Sequence, residues 1–211
     1  MIQQLTMNQQ FIEACKNGNV ELVKELIKNG VNIDENDRCS GYVPLTVAIS
    51  NNHENVFKEL IENGACINHK DIFTDYAPLI TAVMCNSQLA KELILMGATV
   101  DICDSEGESA LMIASGAGDL NIVELLLQYN ANVNFQNRHD YSILHRVASS
   151  IEYELSNIEN LHKNKLEILK KLIIAGANTN LKANNKLFTE MLSDEDRIEM
   201  EQFCSSVVKK Q

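Results

Sequence analysis

The chain has 211 residues, 45% hydrophobic and 22% charged, with six cysteines, no tryptophan and a formal net charge of -11. That charge repels phosphate backbones and anionic bilayers, which argues against nucleic acid or membrane as the main ligand. The acidity is concentrated, since residues 41–150 carry 13 acidic and 5 basic side chains while 151–211 carry 10 and 9; solubility explains this as readily as a basic protein partner does.

The first ten residues, MIQQLTMNQQ, hold no basic segment followed by an apolar run, and no stretch approaches a membrane span. Cys15, Cys39, Cys66, Cys85, Cys103 and Cys204 form no C-x-x-C pair, and no N-x-Ser/Thr sequon occurs. Such thiols fit a reducing compartment, so the expected localisation is cytoplasmic.

In chain order, Phe11, Ala14 and Cys15, then Val20, Leu22, Val23, Leu26 and Ile27, give two helical stripes around a turn at Lys16-Asn17-Gly18. Asn8-Gln9-Gln10 stands where later units have a capped turn, as suits the solvent-facing end of a stack. Gly30 supplies the positive φ that ends the second helix. Units two and three open on Val43-Pro44 and Ala77-Pro78, where proline presets φ at a position whose N–H has no helical partner. Units four and five open on Ser109-Ala110 and Ser142-Ile143, where serine can cap free amides. From Ser109 to Gln136 the whole cycle is visible: a capped apolar turn, a break at Gly116 and Gly118, a second apolar helix, and a small-residue turn with Asn-x-Asn. Asn130 replaces glycine there as a residue that tolerates the left-handed conformation.

Unit five departs from this pattern. Thirteen extra residues, IEYELSNIENLHK at 151–163, precede a second helix expected to begin near Lys163. Ile151, Leu155, Ile158 and Leu161 or His162 keep helical spacing, so the first helix is expected to run on, or a short extra helix to form. The insertion is either a structural extension covering apolar surface or a second contact site. Beyond Asn180 the pattern fades. Leu187, Phe188, Met191 and Leu192 lead into a helix beginning at Ser193-Asp194-Glu195-Asp196, with Ile198, Met200, Phe203 and Val207 expected against the last full unit.

The leucines of the first turns, Leu45, Leu79, Leu111 and Leu144, step by 34, 32 and 33 residues. The turn residues Gly30, Gly64, Gly97, Asn130 and Gly176 step by 34, 33, 33 and 46. With segments such as VPLTVAISNNHENVFKELIENGACIN and APLITAVMCNSQLAKELILMGATVD, this period resembles the ankyrin repeat over roughly residues 8 to 182. The resemblance implies an all-α solenoid of stacked helix-turn-helix units with hairpin-like finger loops. It implies a single domain over 1–211, with repeats at about 4–37, 38–70, 71–103, 104–136 and 137–182, and a C-terminal cap at 183–208. His145 falls on the family's Thr-Pro-Leu-His histidine, which implies a structural bond to the loops.

Catalysis and cofactors find no support in the sequence. Cys66-Ile67-Asn68-His69 offers two metal ligands without a second pair at finger-like spacing. Gly116-Ala117-Gly118 lacks the preceding strand and third glycine of a dinucleotide loop, and neither H-E-x-x-H nor a P-loop occurs. The expectation is no catalytic residue, no metal and no cofactor.

Binding is what the resemblance implies, on the concave surface formed by the fingers and the first helices. Carried over, those positions are Cys39, Ser40, Tyr42, Ser50 and Asn51 in unit two and Phe73, Thr74, Tyr76, Met84 and Cys85 in unit three. Unit four gives Ser105, Glu106, Glu108, Gly116 and Ala117, and unit five gives Arg138, His139, Tyr141, Ser149 and Ser150. Tyr42, Phe73, Tyr76 and Tyr141 are the expected anchors, since rigid aromatics dominate interface energetics. Unit three carries an extra finger residue and one fewer in its helix–helix turn. The functional expectation is a non-enzymatic binder, monomeric when free, whose acidic concave face occupies a basic or mixed protein surface, as an inhibitor or bacterial immunity protein. The alternative is a scaffold joining two partners through the concave face and the insertion.

Overall fold

The structure, a computed structural model, describes residues 5–37, 40–152 and 159–208. Their contacts divide the chain into two compact units, Met1–Ser105 and Glu106–Gln211. The first unit holds helices α1 (Met7–Lys16), α2 (Val20–Lys28), α3 (Pro44–Ser50), α4 (Glu54–Glu62), α5 (Pro78–Cys85) and α6 (Ser87–Leu95). The second holds α7 (Ala110–Ala117), α8 (Leu120–Gln128), α9 (Ile143–Glu152), α10 (Glu159–Ile174) and α11 (Asp194–Val208). It also has a two-stranded hairpin, β1 (Lys182–Ala183) and β2 (Lys186–Leu187), and a single 3-10 turn at Phe188–Met191.

Each helix pair closes in the same way. After every second helix of a pair the chain turns left-handed, at Gly30 (φ 84°), Gly64 (86°), Gly97 (87°), Asn130 (59°) and Gly176 (93°). The next amide bonds back to the last helical turn, as in Val31 N–H to Leu26 carbonyl (3.1 Å), Ala65 to Leu60 (3.0 Å) and Ala98 to Leu93 (2.9 Å). A Cβ at Gly30, Gly64, Gly97 or Gly176 would meet nothing within 4 Å, so these positions need only the positive φ. That is why asparagine can stand at 130.

Helix starts follow the local chemistry read from the sequence. Pro44 and Pro78 open α3 and α5 without a side-chain cap, whereas Ser109 Oγ accepts the Met112 amide of α7 at 3.3 Å. At Ser142 the hydroxyl lies 2.7 Å from His145 Nδ1. The start of α1 differs from expectation, because Thr6 and Gln9 form a reciprocal capping box (3.2 and 2.9 Å) ahead of the polar run.

Burial separates the two helices of a pair. In α3 all six residues from Pro44 to Ile49 are buried, while α4 buries only Val56, Phe57 and Leu60. First helices are covered by neighbouring first helices and by their own partners; second helices keep a wet face. The core of the first unit is built on Phe11, Leu45, Phe57, Leu79 and Leu93, and that of the second on Leu111, Leu126, Leu144, Leu169 and Phe188. Cys15 belongs to the first core, where burial pushes its thiol up to about 12.

The small-residue turns also tie one repeat to the next. Asp34 Oδ1 accepts the Cys66 amide (2.9 Å) and Asn68 Oδ1 the Thr99 amide (2.9 Å); in the second unit Asn134 Oδ1 accepts the Asn178 amide (2.8 Å). Asp34, Asn68 and Asn134, each four residues past the left-handed turn, thus act as side-chain acceptors for the next repeat of their own unit.

Three expectations are corrected. Gly116 lies inside α7, and the helix ends at Gly118 (φ 76°) alone, because one left-handed residue suffices. The second helix of unit five begins at Glu159 instead of near Lys163, and α9 runs to Glu152, so both flanks of the insertion are helical. Leu155 and Ile158 lie outside the described residues. Beyond Asn180 the pattern fades but keeps an outline: β1 and β2 form a hairpin, the 3-10 turn packs on α9, and α11 packs on α10. Within α11, Met200 is fully buried but Ile198 is 54% exposed, since it faces away from α10.

Candidate partner-binding surface

Three of the finger loops are closed by a backbone bond to a tyrosine carbonyl at the base. Asp37 N–H donates to Tyr42 (2.9 Å), Asp71 N–H to Tyr76 (2.9 Å) and Asn137 N–H to Tyr141 (3.0 Å). The first two fingers are one residue longer than the third, so the extra residue expected in unit three is shared by unit two. The left-handed tip falls on Gly41, Asp75, Gly107 and Asp140 at φ 57–80°.

In the first unit the fingers and the helices α3 and α5 enclose a groove of about 210 Å³. It is lined by Tyr42, Ser50, Thr74, Tyr76, Met84 and Cys85, all carried over from the resemblance, together with Thr46, Val47, Asp71 and Thr81. Tyr42 is 44% exposed and Met84 52%. At the floor, Asp71 is 2% exposed; its Oδ1 accepts the Val43 amide at 2.7 Å and the Thr46 hydroxyl at 2.6 Å. Burial pushes its carboxyl above the usual carboxylate range, against the lowering effect of those bonds and of Thr74.

Phe73 is 65% exposed yet does not line the groove. Its ring covers Gly41, where a Cβ would sit 2.6 Å from Phe73 Cδ2, and the neighbouring Ile72 N–H donates to the Gly41 carbonyl at 2.9 Å. This aromatic thus clamps one finger to the next. Cys39 lies outside the described residues.

In the second unit the carried-over residues are tied to the fold by backbone and side-chain contacts. The Arg138 backbone N–H donates to the Glu106 backbone carbonyl (2.8 Å), and His139 Nε2 lies 3.3 Å from Glu106 Oε2. Glu108 Oε1 lies 3.4 Å from Arg146 Nε, whose side chain crosses Gly116. Tyr141 accepts a bond from Asn184 Nδ2 at 3.2 Å and stands edge-on to His145 at 6.0 Å. His145, 1% exposed, has Ser142 Oγ at Nδ1 and the Lys186 carbonyl (3.0 Å) and Ala183 amide (3.2 Å) at Nε2, so either neutral tautomer is satisfied. Burial lowers its pKa. Ser149 and Ser150 turn their hydroxyls back onto Arg146 and Val147 carbonyls (3.0 and 2.7 Å).

Asp71, Thr81 and Arg146 escape a reading by finger position. Asp71 was nevertheless legible in part, since Asp37 and Asp71 both open a finger. Among the described residues no group of three or more His, Cys, Asp or Glu could hold a metal, and no helix is long and apolar enough to cross a membrane.

Recurring helix pairs, bonded fingers and a groove at their base define a repeat scaffold of the binding kind. The chain belongs to the ankyrin-repeat family, whose model for ankyrin repeats (3 copies) matches residues 8–71 and 79–183. Ankyrin repeats are in general protein–protein interaction modules and not enzymes. The chain is 42% identical over 52 residues, 24% of its length, to ankyrin repeat and SAM domain-containing protein 6 of Danio rerio. It is 26% identical over 125 residues, 59% of its length, to a putative ankyrin repeat protein of Rickettsia felis. It is 37% identical over 71 residues, 34% of its length, to the human transient receptor potential cation channel subfamily A member 1. The matched stretches span 7%, 43% and 6% of those relatives.

Proposed function

We propose that the chain binds one basic protein through its finger-side surface and acts by occupying that partner's surface, as an inhibitor or immunity protein does. The observation that carries this reading is the groove of the first unit, where Tyr42, Tyr76 and Met84 present apolar surface around a buried carboxylate. The excess of 13 acidic over 5 basic side chains across residues 41–150 adds long-range attraction for a cationic surface. In the second unit the ion pair of Glu108 with Arg146 offsets part of that field. The stronger pull therefore comes from the groove's side.

The test is capture from lysate of cells that make the protein, at about 0.05 and 0.5 M salt, with the wild type and a Tyr42→Ala/Tyr76→Ala variant. One basic protein retained in stoichiometric amount, lost at high salt and lost from the variant, is the expected result. Two partners held at once on separate surfaces would replace the inhibitor with a scaffold. Retention indifferent to both salt and the variant would remove the reading.

A further inference from the structure

The groove contains more than apolar surface. Asp71 is held by uncharged donors, and among the described residues no lysine or arginine pairs with it; His69 supplies only the weakest of the favourable influences on its charge. Thr81, 6% exposed and lining the same groove, has a hydroxyl with no hydrogen-bond partner. A buried carboxylate without a cation and a buried hydroxyl without a partner are both costly, and each is relieved by a cationic donor. The cavity of about 210 Å³ is below the ~300–1,000 Å³ typical of small-molecule sites, which suits a single side chain.

We propose that this groove is the receptor for one cationic side chain, arginine or lysine, of the partner polypeptide. Its methylene stem lies against Val47 and Met84, and its head group is directed to Asp71 and the Thr81 hydroxyl between Tyr42 and Tyr76. Tyrosine rings within reach of a cation add attraction, and the stem buries apolar surface as long basic side chains do elsewhere. Burial raises the Asp71 carboxyl, and an arriving cation works in the opposite sense, so occupancy favours the ionised form. The proposal rests on the reading of a basic partner and names the contact through which it is recognised.

The experiment is a titration of the full, nitrogen-15-labelled chain with n-butylguanidinium and n-butylammonium chloride at low salt, followed by amide shifts, with n-butylurea as the uncharged isostere. Saturable shifts at Val43, Thr74, Tyr76 and Met84, at concentrations at least tenfold lower for a cation than for the urea, are expected. Which cation binds more tightly distinguishes arginine from lysine. Asp71→Asn is expected to abolish the preference for charge. Met84→Arg changes an exposed residue and places a resident cation at the groove, so it is expected to block the probes while leaving the remaining spectrum unchanged. An equal response to the urea would show an apolar occupant, and cation shifts retained in Met84→Arg would place binding elsewhere; either overturns the proposal. If the probes fail while partner capture keeps its salt dependence and its loss in the tyrosine variant, the groove receptor falls and the basic-partner reading stands. If the probes bind and capture shows neither, the groove takes a cation but the basic-partner reading falls, and the assignment of its occupant to that partner's side chain is overturned with it.

Discussion

At the scale of single residues, two side chains carry backbone or charge states that their surroundings alone explain. Asn130 holds φ 59° where the equivalent residues are glycines with open space around them. Asn130→Ala should therefore cost about 1 kcal/mol, because alanine has no local compensation for the left-handed conformation, whereas Asn130→Gly should be neutral or stabilising. Urea-unfolding midpoints of the two variants test this, and equal destabilisation by both would remove the explanation. His145 is buried neutral between Ser142 and the β1–β2 hairpin, with its pKa lowered by burial. The unfolded chain then binds the proton more readily, so this contribution is intact above the unfolded value of about 6.5 and is lost progressively as pH falls from there through the lowered folded value. His145→Asn should lower stability at pH 7.5 by about 1–3 kcal/mol through unpaired buried groups, and should flatten the decline in melting temperature between pH 7 and 5. An unchanged decline would mean that another group governs it.

At the scale of elements, the repeat uses interchangeable local devices for one task. Proline opens α3 and α5, and a serine cap opens α7. Ser109→Ala should cost about 1 kcal/mol, by a two-state fit to chemical unfolding. The helix-ending turns are less interchangeable. Gly176 has free space at its missing Cβ, but a Cβ at Gly118 would overlap Leu161 Cδ1 and lie 3.6 Å from Lys165 Cε. Gly118→Ala should therefore destabilise the second unit more than Gly176→Ala does, although both positions have positive φ. Equal losses in unfolding would show that the backbone term alone decides. Leu161 belongs to the insertion of unit five, where α10 begins early, so that extension has a packing role beside α7.

At the scale of the whole molecule, the net charge of -11 governs encounter more than fold. Association with the basic partner proposed above should weaken at least tenfold between about 0.05 and 0.5 M salt, mainly through a slower on-rate, while helical content by circular dichroism stays constant. A constant on-rate would assign recognition to apolar contacts alone. The period, the helix pairs and the left-handed turns were legible in the chain because each depends on neighbours a few residues apart or on a spacing that recurs, whereas the structural role of His145 came only from the resemblance to the ankyrin repeat, since its bonds reach Ala183 and Lys186. The resemblance to the ankyrin repeat, carried over residue by residue, also pointed to Tyr42, Tyr76 and Met84, which line the groove. The sequence could not show that Asp71 accepts bonds from Val43 and Thr46, nor that Phe73 covers Gly41 and so serves the fold. Nor could it show that Arg146 meets Glu108, or that a hairpin and a 3-10 turn precede the last helix after Asn180. Local spacing determined the scaffold, because helix caps and turns are short-range chemistry. The tertiary structure decided which side chains are committed to the fold and which stay available, because pairings across about a repeat length depend on how successive fingers and helices stack.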